Sequence, residues 1–152
     1  MSGVLRGRGA AAAGLVLIAT AGCVGPARTS TSYKKKAEHS ASEARSAVET
    51  GRLAARAATR GKAFGPYLSV LLAGAERSAS DVQTTFDSIQ PPDSRSDQLR
   101  QQLDDLLTGA VSGLSELRIA ARRGQLDELA GKAEPLADLS ARLDQFEQAQ
   151  KQ

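Results

Sequence analysis

The chain has 152 residues, with 20 lysines and arginines, 17 aspartates and glutamates, one histidine and one cysteine. A single cysteine excludes an intramolecular disulfide, and a single histidine excludes any metal site built on several imidazoles. Aromatic residues make up only 3% of the chain and tryptophan is absent, so a core has to be assembled from leucine and alanine.

The chain opens with Arg6 and Arg8, followed by an uncharged apolar stretch from Ala10 to Thr20 and two small residues, Ala21 and Gly22. That division matches an export signal. The run from Ala10 to Val24 is shorter than the roughly 20 apolar residues needed to cross a bilayer. Thr20-Ala21-Gly22-Cys23 resembles the lipobox of bacterial lipoproteins, departing from it at Thr20, where that family most often places leucine. The resemblance implies a diacylglyceryl group on the Cys23 thiol, cleavage between Gly22 and Cys23, and a mature protein held on the extracytoplasmic face of the cell membrane. Two acyl chains suffice for durable attachment where one does not. Cys23 as an incidental residue after an ordinary signal, or the segment as an uncleaved anchor, would also place the remainder outside the cytoplasm.

Removal of residues 1–22 leaves one domain's worth of chain. Residues 23–32 read as the lipidated cysteine and a flexible tether, since Gly25 to Ser32 lacks large apolar side chains; as coil, its ends lie about 15 Å apart. From Cys23 to Lys62 there are nine basic and three acidic residues, and from Ala63 onward nine basic and fourteen acidic. Lys34, Lys35 and Lys36, beside the tether, either rest on anionic lipid or an anionic surface polymer, at about 1 kcal/mol per cation, or complement acidic neighbouring helices. An exported, nearly neutral mature chain argues against nucleic acid as a partner.

Residues 33–152 carry helical periodicity throughout and predict an all-α fold, an antiparallel four-helix bundle. The first helix, about Ser32 to Arg60, has an inward band of Ala37, Ala41, Ala44, Ala47, Val48, Gly51, Ala54, Ala55 and Ala58. Small residues permit close approach but bury little area each, at about 25 cal/mol per Å², so this helix is expected to be the least firmly held; it is either a tightly packed alanine-rich member of the bundle or one that loosens and exposes the leucine seams to a partner. Gly65-Pro66 opens the second helix and Pro91-Pro92 closes it. Its seam is Leu68, Leu72, Ala75, Ala79, Val82, Phe86 and Ile89. Asp93 or Ser94 caps the third helix, whose seam includes Leu99, Leu103, Leu106, Ala110, Gly113, Leu117 and Ala120, and which ends at Arg122-Arg123-Gly124. Gly109 and Gly113, one turn apart, predict close packing inside the bundle. The last segment runs from Leu126 to Phe146, with a break or kink expected at Gly131 and Pro135.

No signature of catalysis, cofactor or metal binding emerges from the sequence. His39 lies in a polar stretch of helix one with no nucleophile elbow elsewhere. The acidic pairs Asp104-Asp105 and Asp127-Glu128 are adjacent on predicted helices, so their carboxylates diverge and read as solvated faces. Phe64 and Tyr67 flank Gly65-Pro66; they either form a contact patch at one bundle end or cover the turn, with Phe64 stapling it. The stretches Phe64-Gly-Pro-Tyr-Leu68 and Gln90-Pro-Pro-Asp93 through Arg118-Ile-Ala-Ala-Arg-Arg-Gly124 resemble a family of small lipoproteins of high-GC Gram-positive bacteria, a likeness that implies a compartment and no site. The expected role is a non-enzymatic helical scaffold or protein-binding module of the envelope. The alternative is a small-ligand or sensory bundle, which requires a cavity of a few hundred Å³ with polar lining.

Overall fold

A computed structural model describes residues 29–151. Four helices pack against one another: α1 (Ser30–Thr59), α2 (Gly65–Asp87), α3 (Ser94–Arg122) and α4 (Leu129–Lys151). The all-α four-helix bundle expected from the periodicity is the observed fold, and the described residues contain no strand. The Cys23 lipobox, the Gly22–Cys23 cleavage point and most of the expected tether lie outside the described residues.

The helix ends follow from local chemistry. Thr29 caps α1: its hydroxyl accepts from the Ser32 amide at 3.1 Å, and the Ser32 hydroxyl accepts from the Thr29 amide at 3.4 Å. Residues 30–32, assigned to the tether on composition, therefore belong to the helix, because a reciprocal cap needs no apolar residue. Pro66 sits in the first turn of α2, where its missing N–H costs nothing. Asp93 caps α3, accepting from the Ser96 amide at 2.8 Å. Helices α1 and α3 end alike. Gly61 and Gly124 take positive φ, and the next residues, Lys62 and Gln125, donate backward to the carbonyls of Ala57 and Ala120 at 2.9 and 3.0 Å. That six-to-one bond defines the Schellman motif, and glycine enters the left-handed region without steric penalty.

Two expectations about α4 are corrected. The helix begins at Leu129, so Leu126, Asp127 and Glu128 occupy the preceding turn. It then runs unbroken through Gly131 and Pro135. Proline removes a single bond, the one to the Gly131 carbonyl. Buried Ala133 and Leu136 on either side hold the chain helical across it.

The core joins every seam read from the sequence. Leu68, Leu72, Phe86, Leu103, Leu107, Leu114, Leu117, Leu129 and Leu143 are fully buried, and so are Ala37, Ala41, Ala44 and Ala55 of α1. Each of α1 and α3 touches all three other helices, whereas α2 and α4 do not touch. Of the two readings of α1, the tightly packed alanine-rich member is the one its contacts fit, since it touches all three other helices. Alanine and glycine bring its backbone against α3, so that a β-carbon at Gly51 would collide with the side chain of Leu114. Gly113 does the same between α3 and α4, where a β-carbon would lie 2.6 Å from Leu136 Cδ2. Tyr33 is an addition to the predicted core; it is fully buried, with its ring 5.6 Å from that of Phe86.

Candidate interaction surface

The up-and-down topology puts the start of α1, the α2–α3 turn and the end of α4 at one end of the bundle. The Ser30 hydroxyl donates to the Asp93 carboxylate there, and Tyr33 packs on Phe86. The other end carries the α1–α2 and α3–α4 turns. Thirty helical residues separate the two ends along α1, a rise of about 45 Å.

The three lysines near the start of α1 do not form one basic face. Lys34 and Lys35 border a shallow hollow with Glu38, Gln150 and Lys151, while Lys36 turns to the groove between α1 and α2, beside His39 and Asp81. Aspartates crowd the adjoining ends of α2 and α3, among them Asp81, Asp87, Asp93 and Asp97. Burial pushes the Asp87 carboxyl above its ordinary range, aided by the nearby Asp104. The Ser30 hydroxyl and the Ser96 amide pull Asp93 below its own. His39 is largely exposed and lies 3.3 Å from Glu43, its neighbour one turn on. Asp104 accepts from Gln83 at 3.4 Å, and Glu128 pairs with Lys132 at 3.5 Å.

Stronger charge pairs lock helices together. Arg118 of α3 grips Glu76 of α2 through two nitrogens, one of them at 3.2 Å, and this holds the Glu76 carboxyl below the usual glutamate range. Between α1 and α4, Arg45 pairs with Asp144 and lies 3.2 Å from Glu147, which Lys151 also reaches at 2.6 Å. The Lys151 hydrogen bond and the Arg45 charge outweigh burial and lower the Glu147 carboxyl. Glu49 is pushed upward by burial, but hydrogen bonds from Ser140 and Arg52 leave it lowered.

The most exposed large apolar side chains lie at or near the end remote from Ser30. Phe64 is 71% exposed, Tyr67 55%, Val70 74% and Leu53 60%. Phe64 is the N-cap residue of α2 and makes no side-chain cap bond; it leans on Tyr67, ring to ring at 6.2 Å, instead of stapling the turn. The sequence pattern brought Phe64 and Tyr67 into view but not Leu53 and Val70. Both were legible as residues outside their own seams, since Leu53 falls between the inward Gly51 and Ala54, and Val70 between Leu68 and Leu72. Val70, Leu71 and Gly74 succeed one another at helical spacing and face Glu43, Ala47 and Thr50 of α1 across an open groove of about 560 Å³. Farther along, the groove becomes polar, with a hollow of about 550 Å³ bordered by Lys36, His39, Glu43, Asp81 and Ile89.

Among the described residues, no three histidine, cysteine, aspartate or glutamate side chains are grouped to hold a metal ion. No described helix is long and apolar enough to cross a membrane. No family model matches the chain, and neither a curated protein nor a solved structure does.

Proposed function

We propose that the chain is a membrane-anchored extracytoplasmic lipoprotein whose bundle serves, without catalysis, as a scaffold or binding module for another protein of the cell envelope. The observation that carries the binding role is the exposure of four large apolar side chains, Leu53, Phe64, Tyr67 and Val70, the last of which lines the α1–α2 groove. Large apolar side chains grouped on a surface mark interaction sites more often than scattered ones do. The anchoring role rests on the export-signal pattern ending in Thr20-Ala21-Gly22-Cys23. A durable two-chain lipid at Cys23 would hold the start of α1 near the headgroups, because the six peptide steps from Cys23 to Thr29 span at most about 20 Å.

Intact-mass spectrometry of the membrane-extracted protein tests the anchor: a diacylated Cys23 at the mature N-terminus is the expected species, and an unmodified cysteine or a retained signal refutes it. Affinity capture from intact membranes, comparing the native chain with Cys23→Ala, tests the scaffold. The native chain is expected to retain an envelope protein that the variant loses. A second reading, the small-ligand or sensory bundle, is favoured by the polar hollow around Lys36, His39, Glu43 and Asp81. It requires a metabolite-sized anion or zwitterion to raise the melting temperature, and His39→Ala with Lys36→Ala to abolish the rise.

A further inference from the structure

We infer that a hollow at the Ser30 end of the bundle is a binding site for a phosphate ester, supplied by the anionic phospholipid headgroups of the leaflet that holds the chain. The source of the ligand rests on the proposed Cys23 anchor; the site itself rests on its lining.

The hollow, of about 400 Å³, opens where the first turn of α1, the first turns of α3 and the last turn of α4 meet. Its charged lining is Lys34 of α1 and Arg95 of α3, and among the described residues no carboxylate lines it. Neither cation makes an ion pair among the described residues. The hollows described above differ in this respect, since Glu43 and Asp81 face Lys36 in one, Glu43 borders the apolar groove, and Glu38 accompanies Lys35 and Lys151 in a third. Two unpaired cations kept clear of carboxylates mean more at an end of the bundle that is crowded with aspartates. One of these, Asp93, closes the start of α3, where the Ser30 hydroxyl and the Ser96 amide donate to it. The helix terminus is therefore already satisfied, and side chains make the anion site.

The lining also selects among anions. A guanidinium offers two parallel N–H groups to phosphate oxygens, and an ammonium adds a point charge from the opposite wall. Gln150 is engaged with the Phe146 carbonyl at 3.3 Å, which leaves the Gln98 and Gln102 amides to donate to further oxygens. Leu99 and Ala149 complete the hollow with apolar surface, suited to the carbon skeleton of an ester and of no use to bare phosphate. A volume of 400 Å³ lies within the range of about 300–1,000 Å³ for small-molecule sites.

Position names the source. The hollow reaches no farther along α3 than Gln102, about 12 Å from the start of that helix. The chain between Cys23 and Thr29 spans at most about 20 Å. An anchored chain therefore brings Lys34 and Arg95 to the headgroup layer, where an anionic leaflet concentrates phosphate esters and attracts cations. Occupancy would turn this end of the bundle to the membrane and the exposed Phe64 and Tyr67 away from it.

The test uses the full chain, extracted from membranes, with its Cys23 mass determined first, and returned to phosphatidylcholine nanodiscs containing increasing fractions of phosphatidylglycerol. Phosphatidylglycerol is expected to shift the amide resonances of Lys34, Ser96, Leu99 and Gln102. Lys34→Gln with Arg95→Gln is expected to raise the half-saturating fraction at least about tenfold at an unchanged melting temperature. Lys35→Gln with Lys36→Gln removes the same charge from the same end of the bundle and is expected to change that fraction less than about twofold. An unmodified Cys23 would refute the anchor and leave the lipid response to be read on its own; a diacylated Cys23 with no response would refute the site and leave the anchor standing. Two further results would overturn the inference. Equal losses in the two double variants would reduce the effect to diffuse attraction by a charged surface. Glycerol phosphate in solution, shifting the same resonances as strongly in discs of phosphatidylcholine alone, would assign the ligand to a soluble ester and not to the membrane.

Discussion

Helices α1 and α3 occupy equivalent positions with opposite chemistry. Each touches the other three helices, but α1 does so with alanine and glycine, and α3 with leucine. A leucine-lined helix fills space at a distance; an alanine-lined helix removes the space by bringing backbones together. The contact between Gly51 and Leu114 is where the two strategies meet. Small side chains therefore do not mark a peripheral helix. They mark one whose contribution is spread over many close approaches, with little assigned to any single side chain.

Unequal sharing of that kind can be broken from either side. Leu114→Ala removes one of the fully buried anchors of α3 and leaves a cavity against α1; a loss of about 2–5 kcal/mol is expected in urea denaturation. On the opposite side of the same contact, Gly51→Ala forces a β-carbon into the Leu114 side chain. Its cost is expected to be about 1–3 kcal/mol, with amide protection lowered across residues 37–58 more than across 68–89. Equal stability of native and Gly51→Ala chains would show that α1 is not held by close approach.

Smaller effects attach to the charges and to the solvent side. Glu76 has its carboxyl lowered by Arg118 in the folded state. Its contribution is thus fully present above the ordinary glutamate value of 4.5 and is lost as pH falls through the depressed folded value. Arg118→Ala is expected to cost about 1–2 kcal/mol near neutral pH, for a partly buried charged hydrogen bond, and the difference from the native chain should shrink on acidification below that value. A difference that stays constant down to strongly acidic pH would mean that packing of the arginine stem, not its charge, is what α2 and α3 share. Gly74→Ala is the mildest change. With open space around it and helix on both sides, it is expected to stabilise by about 0.5–1 kcal/mol, the opposite sign to Gly51→Ala for the same added methyl group.

The chain disclosed its helices readily because their ends are written in local chemistry. Asp93, Gly65-Pro66 and Gly124 each satisfy backbone groups or set dihedral angles without help from distant residues. Errors arose where tertiary context decides. The start of α1 was hidden by the polar residues that cap it, and Pro135 reads as a breaker although neighbours buried against the bundle carry the helix across. The central place of α1 is invisible to an estimate based on area per residue, because closeness of approach is a property of pairs. At the surface, Lys34, Lys35 and Lys36 read as one run, but a helix turns about 100° per residue and sends Lys36 to a different groove. Phe64 and Tyr67 stood out by rarity. Leu53 and Val70 needed the opposite reasoning, apolar residues noticed for falling outside a seam.

Because an even number of helices alternates in direction, α1 begins where α4 finishes. Ser30, Ala149 and Gln150 border the same hollow. A short peptide could join these two extremities, and the chain could be reopened at the exposed Gly61-Lys62 turn, giving the order α2, α3, α4, α1. Such a circular permutant would keep every interhelical contact while releasing α1 from its direct covalent link to α2. Recovery of the native bundle from it would mean that the alanine-rich helix finds its place without the α1–α2 turn.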